Sequence, residues 1–293
     1  MPLRYAYYPG CASHAITKEA DLSTREVCKS LGMELHDMPK ANCCGAGIMT
    51  DYDKELSLAL NARIFTEAEE MGMDILTICS TCLMVMSAAN HELAKKTGTF
   101  KRTNILLERA GIRTYKGSIR IKQLLWALIE DIGLDGLKKK VIRPLKGLRI
   151  AAFYGCHSLR PSYALGFDDP ARPASLDGLL AALGADIVEY KGKTKCCGFQ
   201  IDLVAEDTAL GMTAKRLIEA KEMGADLMVT PCPFCHINLD SYQAMAEREV
   251  SAKIGLPVLH LAQVVGLALG IDIKGLGLTR NMVSVESVLE RLY

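Results

Sequence analysis

The sequence predicts an α/β chain made of two pseudo-symmetric repeats, each a small, mostly parallel sheet flanked by helices. Three observations predict it. Asn42-Cys43-Cys44-Gly45 returns as Lys195-Cys196-Cys197-Gly198, and Cys79-Ser80-Thr81-Cys82 returns as Cys232-Pro233-Phe234-Cys235, both 153 positions later (43 to 196, 79 to 232). Strand and helix patterns alternate in the same order in both halves, which marks parallel sheets joined by right-handed crossovers. Ten of the eleven cysteines fall at strand-to-loop exits, where ligands gather in such sheets.

Each half opens with a short apolar strand, Leu3–Tyr8 or 148–154, that runs into a cysteine, Cys11 or Cys156. A helix over 18–31 or 175–183 follows, then a strand near 33–38 or 185–190 that leads to the cysteine pair. Apolar residues at three-to-four spacing predict the next helices, 54–71 and 207–223. Glu67 to Gly72 within the first answers Glu219 to Gly224 in the second. Strands at 75–78 and Leu227–Thr230 then end at the Cys-x-x-Cys pairs. The tails agree too, 123–133 aligning with 260–270. The basic, proline-containing stretch 138–144 places the boundary, giving domains 1–145 and 146–293. The most apolar run, 256–271, is short and contains His260 and Gln263, so it reads as a buried or partner-facing helix and not a membrane span.

Composition narrows the function. The 293 residues are 49% hydrophobic and 24% charged, an ordinary globular balance. Lys plus Arg is 35 against 34 for Asp plus Glu, without the basic surplus of a nucleic-acid binder. The opening residues carry no apolar leader pattern, so the chain is expected in the cytoplasm, where many cysteines signal metal or redox chemistry and not a disulfide scaffold.

Each half carries one cysteine, then 31 or 39 residues, an adjacent pair, 34 residues, and Cys-x-x-Cys. Five thiolates exceed the four that structural zinc takes and the four of a cubane iron–sulfur cluster. Soft thiolates select zinc, copper(I) or iron–sulfur clusters. Spacing alone leaves zinc in either half and iron–sulfur clusters both open.

The pattern of Cys, then Cys-Cys-Gly, then Cys-x-x-Cys, present twice, resembles the cysteine-rich CCG domain. The whole chain resembles the B-type subunit of heterodisulfide reductase. Its most specific stretches are Phe153 to His157, Val229 to His236 and Pro257 to Leu261. The resemblance implies two non-cubane 4Fe–4S clusters. One is held by Cys11, Cys43, Cys44, Cys79 and Cys82, the other by Cys156, Cys196, Cys197, Cys232 and Cys235. It also implies two partners, a ferredoxin-like iron–sulfur subunit (C-type) with a flavoprotein subunit (A-type), and a small disulfide or thiol as substrate. Tyr7 to Cys11, Asp21 to Arg25 and Gly45 after the first pair bring the chain closer to bacterial heterodisulfide-reductase-like subunits than to the methanogen form. The alternatives are a pure electron relay and a zinc-stapled structural subunit.

His157 and His236 each follow a second-half ligand cysteine, where the first half has Ala12 and Leu83. This asymmetry nominates them as catalytic proton donors to a departing thiolate and the second half as the chemical one. Cys28, replaced by Leu180 in the other repeat, reads as a small buried hydrophobe. His260 reads as structural, and His14 as a residue of the first cleft. Arg160, Lys191, Lys193 and Lys195 flank the second site as candidate anchors for an anion. Gly45, Gly47 and Gly198 suit backbone packed close against a cluster.

Overall fold

The computed structural model describes residues 2–46 and 48–293, so Gly47 lies outside the described residues. The first sheet contains β1 (Leu3–Tyr8), β2 (Met33–Asp37), β3 (Ile75–Thr77) and β4 (Ile121–Gln123) in the order β2-β1-β3-β4. The second contains β5 (Arg149–Ala152), β6 (Asp186–Ile187), β7 (Leu227–Thr230) and β8 (Val258–His260) in the matching order β6-β5-β7-β8. Every pairing is parallel, with Ala6 opposite Ile75 in one sheet and Ile150 opposite Leu227 in the other. The central strands are buried from Tyr5 to Tyr8 and throughout β7, as parallel strands covered on both faces must be.

Helices α1 (Lys18–Leu31), α2 (Lys54–Met71) and α3 (Ser80–Ala94) cross over the first sheet; α4 (Ser175–Ala182) and α5 (Glu206–Glu222) cross over the second. The first two match the predicted 18–31 and 54–71 because their ends are chemically marked. Gly32 and Gly72 adopt left-handed caps (φ +77° and +64°), and Asp53 accepts from the Leu56 N–H at the start of α2.

The run 256–271 departs from the expected single helix. Its first part is β8, paired with β7, and only Leu261–Ala268 (α6) is helical. His260 and Gln263 form a reciprocal capping box at the junction, which stops the strand and starts the helix. The linker is docked on the second half: Ile142 and Arg143 N–H donate to Ala268 O, and Leu145 N–H to Leu183 O. No helix among the described residues is long and apolar enough to cross a membrane.

The halves meet reciprocally. Gln123 Nε2 donates to Pro231 O (2.8 Å), while His260 Nε2 lies 3.4 Å from Ile78 O. Gln123 aligns with His260 and Ile78 with Pro231, so the same patch of each repeat grips the other, as across a two-fold interface. The second grip passes one residue from Cys79, the first one residue from Cys232.

Candidate functional site

Sheet order places the cysteines. In each sheet the strand order reverses between the first and third strands, and the crevice beyond that switch point is where such folds bind ligands. Cys11 follows β1 and Cys79 follows β3, at the two lips of that crevice; Cys156 and Cys232 do the same for β5 and β7. Cys79 caps α3, its sulfur accepting from Cys82 N–H at 3.5 Å, so the pair shares one face of the first turn. The adjacent pairs sit in loops pinned from behind. Asn61 donates to Cys44 O (3.0 Å), and Thr213 does the same for Cys197 O (2.8 Å). Gly45 and Gly198 N–H point at Cys43 and Cys196 Sγ, 3.4 Å away in both halves. Both glycines are at positive φ (+76° and +110°), a geometry that L side chains resist.

The sulfurs form one string. In the first half neighbouring sulfurs are near enough to perturb one another's acidity, Cys11 with Cys43, Cys43 with Cys44, Cys44 with Cys82 and Cys82 with Cys79. The second half repeats this through Cys156, Cys196, Cys197, Cys235 and Cys232. The strings join where Cys79 meets Cys232. Proton sharing shapes their acidity. Hydrogen bonds from Cys11 and then Cys44 hold the Cys43 thiol down to about 2, and those from Cys156 and then Cys197 hold Cys196 to about 2. The donors move the other way, Cys44 to about 11 through its bond to Cys43. Cys79 is pushed up by burial and by donating to Cys232, which is lowered in spite of its burial by bonds from Cys235 and Cys79.

This arrangement fits a soft, positively charged polynuclear group. Five neighbouring sulfurs, three of them buried, repel one another as thiolates, and shared protons relieve the repulsion where a metal–sulfide core would. Among the described residues no three or more Cys, His, Asp or Glu side chains close around one point as a mononuclear ion site does; the string is spread over several contacts. Room is kept beside it by glycine. A Cβ on Gly10 would stand 3.1 Å from Cys82 Sγ, and one on Gly155 would stand 3.1 Å from Cys235 Sγ, both at positive φ (+81° and +69°). Gly10→Ala is therefore expected to displace Cys82 and lower metal occupancy of the first site. Metal analysis beside far-UV circular dichroism tests this, since a folded variant with full occupancy would refute it.

The two nominated histidines part company. His157 lies at the junction, with Nδ1 3.2 Å from Thr81 Oγ1, which is itself 3.8 Å from Cys232 Sγ. Burial pushes its basicity below the usual value. His236 is turned to the protein interior. Its Nδ1 lies 3.3 Å from Glu19 Oε1 and its Nε2 3.1 Å from Val258 O. Burial opposes its charge, but Glu19, Asp240 and the Val258 carbonyl together outweigh it and raise its pKa. The structure thus brings His157, and not His236, to the sulfur junction.

Other expectations divide the same way. His260 is a capping residue, pushed to about 4 by burial and the nearby His236. Cys28 is buried, and burial raises its thiol to about 12. His14 lines a cavity with Cys11 and Cys43. Of the four cations, Arg160 is spent on Thr194 O and Pro170 O, and Lys193 on Asp177 and Glu189; Lys191 and Lys195 remain exposed. Sequence reasoning missed Thr81 and Glu19. A polar residue inside Cys-x-x-Cys was a readable signal for Thr81, whereas nothing in the sequence ties Glu19 to His236.

The cysteine-rich domain family (CCG) matches residues 5–87 and 150–240. The 8-methylmenaquinol:fumarate reductase membrane anchor subunit of Wolinella succinogenes is 39% identical over 97% of this chain and 98% of its own length. The B-type subunit of the ferredoxin/F420H2-dependent CoB-CoM heterodisulfide reductase of Methanosarcina acetivorans is 31% identical over 99% of this chain and 97% of its own. A protein of Archaeoglobus profundus that is itself like the heterodisulfide reductase B-type subunit is also 31% identical, over 98% and 99%. Among solved structures, a hypothetical protein from Helicobacter pylori shares the fold with a TM-score of 0.78 at 15% identity. It aligns with 97% of this chain, which spans about half (53%) of that one.

Proposed function

Because the chain belongs to the family of double cysteine-rich CCG-domain proteins that also holds the B-type subunits of heterodisulfide reductases, we propose that it is the iron–sulfur subunit of a heterodisulfide-reductase-like complex carrying out reversible disulfide/thiol chemistry. The gathering of ten cysteines at the strand exits of two matching sheets, with Cys79 of one set beside Cys232 of the other, is the observation that carries this reading. Cys11, Cys43, Cys44, Cys79 and Cys82 would hold one non-cubane 4Fe–4S cluster, and Cys156, Cys196, Cys197, Cys232 and Cys235 the other. When bound, such clusters supply electrons singly, and two together match the two electrons of a disulfide.

The chain's own residues do the rest. Gly10 and Gly155 keep space beside Cys82 and Cys235. Burial of Cys79 and Cys232 keeps water from the junction, where charges then act strongly. A disulfide reduced to two thiols also takes up two protons, and His157 Nδ1 with Thr81 Oγ1 forms a path that holds one beside the junction. Electrons would arrive through a ferredoxin-like protein, with a flavoprotein beyond it, and the substrate would be a small thiol or disulfide.

The fumarate reductase relative favours a second reading, a protein that passes electrons within a larger complex without a sulfur substrate. A relay and an enzyme differ in one measurement, disulfide-dependent oxidation of the reduced complex. For either, the anaerobically purified full chain is expected to contain about eight irons, from two four-iron clusters. Stoichiometric zinc with little iron would overturn the cluster assignment.

A further inference from the structure

The two sites share their ligand spacing but not their access. In the first, Cys11 and Cys43 are exposed and wall a cavity of about 390 Å³ together with Tyr8, Arg25, Asp37 and Asn42. In the second, the equivalent Cys156 and Cys196 are only partly exposed. The space bounded there by His157, Phe199, Phe234 and the cysteines amounts to about 10 Å³, about enough for a single water. Two side chains stand at this difference. Phe199 and Phe234 stack with centroids 3.7 Å apart and planes 22° from parallel. In the first repeat their positions are held by Ala46 and Thr81.

Resting on the cluster reading above, we infer that Phe199 and Phe234 form an aromatic cap that shields the second site. The first site is left open, through its cavity, to a small uncharged thiol or disulfide. The ligand class follows from the cavity's charges. Its guanidinium, Arg25, is held by Asp21 at 3.0 Å and by Asp37 at 2.7 Å, so among the described residues lining it no lysine or arginine is left unpaired to draw an anion, and His14 is the remaining basic side chain on its wall. The cap also keeps bulk water from the His157–Thr81 side of the junction, where an excluded solvent cannot stand in for a positioned proton carrier. Ligand enters on one side and protons are held on the other. The exposures therefore point to the first half as the one that meets substrate, opposite to what the paired histidines suggested.

Thiol mapping on the anaerobic, full-length, metal-loaded protein tests this, with iron counted alongside. Methyl methanethiosulfonate serves as the small neutral reagent and its sulfonatoethyl analogue as the anionic one; modified cysteines are followed by mass spectrometry over time. Cys11 and Cys43 should react about tenfold or more faster than Cys156 and Cys196, which react only from locally opened states. The neutral reagent should lead the anionic one at Cys11. Phe199→Ala should raise the rates at Cys156 and Cys196 toward those of the first pair. Equal rates at both sites in the wild-type protein, or an unchanged order in a folded Phe199→Ala variant, would overturn the cap. Preference for the anionic reagent at Cys11 would overturn the ligand class. The Cys11-first order in protein that lacks iron would overturn the cluster reading while upholding the cap.

Discussion

Replacement of His157 by alanine is expected to slow disulfide-dependent turnover of the assembled complex by about 10²–10⁴-fold, the usual contribution of a positioned proton-transfer group. On the proposed assignment iron content should be unchanged, because the imidazole is not among the ten sulfur ligands. The effect should be large because bulk water has little room at the junction. Nδ1 reaches Cys232 through Thr81 Oγ1, and the adjoining space is of single-water size. The Thr81 hydroxyl both donates and accepts, so it can pass a proton in either direction. Thr81→Val is therefore expected to lose a similar factor. The double variant should lose no more than the worse single one, since both act on one path. Normal turnover in His157→Ala would show that solvent or substrate supplies the proton. Iron loss would show instead that the ring supports the metal site.

Glu19→Ala should produce the second large effect, on stability. Glu19 sits on α1 of the first half, 4% exposed, and its carboxylate meets His236 from the second half. When His236 is protonated, the state that Glu19 and Asp240 favour, removing one member of such a buried pair typically costs about 3–5 kcal/mol, because the other is left uncompensated. Arg280, 3.5 Å from the same carboxylate, has a half-exposed side chain, so little of the loss is attributed to it. Denaturant unfolding of the metal-loaded chain measures the shift in midpoint, and an unchanged slope would confirm that the loss lies in stability. Glu19→Gln, which keeps an acceptor beside His236, should lose distinctly less. A midpoint shift worth under about 1 kcal/mol in Glu19→Ala, the range of surface pairs, would mean that the contact holds nothing together.

Much of the site was legible before any coordinates. The repeat at 153 positions, the strand exits and the ten cysteines follow from residues whose meaning is local. Soft ligands at loop positions after apolar strands keep that meaning wherever the strands end up. The helices 18–31 and 54–71 were legible for a similar reason: Gly32, Gly72 and Asp53 terminate them through contacts within four residues. β4 and β8 were not, because each three-residue strand runs directly into a helix with no turn residue between them. An apolar run of that length is no more strand than helix until a neighbour such as β3 or β7 supplies the hydrogen bonds.

By itself, then, the sequence determined a duplicated α/β chain with two sets of five thiols, because periodicity, capping and ligand softness are carried by near neighbours in the chain. The tertiary structure alone decided that the two sets meet at Cys79 and Cys232, that Gln123 and His260 clasp the halves, and that His236 is sealed against Glu19 while His157 reaches the junction. It alone decided that Phe199 stacks on Phe234 over one site and leaves the other open. Each of these joins residues far apart in sequence, and each depends on how the elements around the two sheets bury their facing surfaces. Packing between distant elements sets that geometry, and no local pattern encodes it.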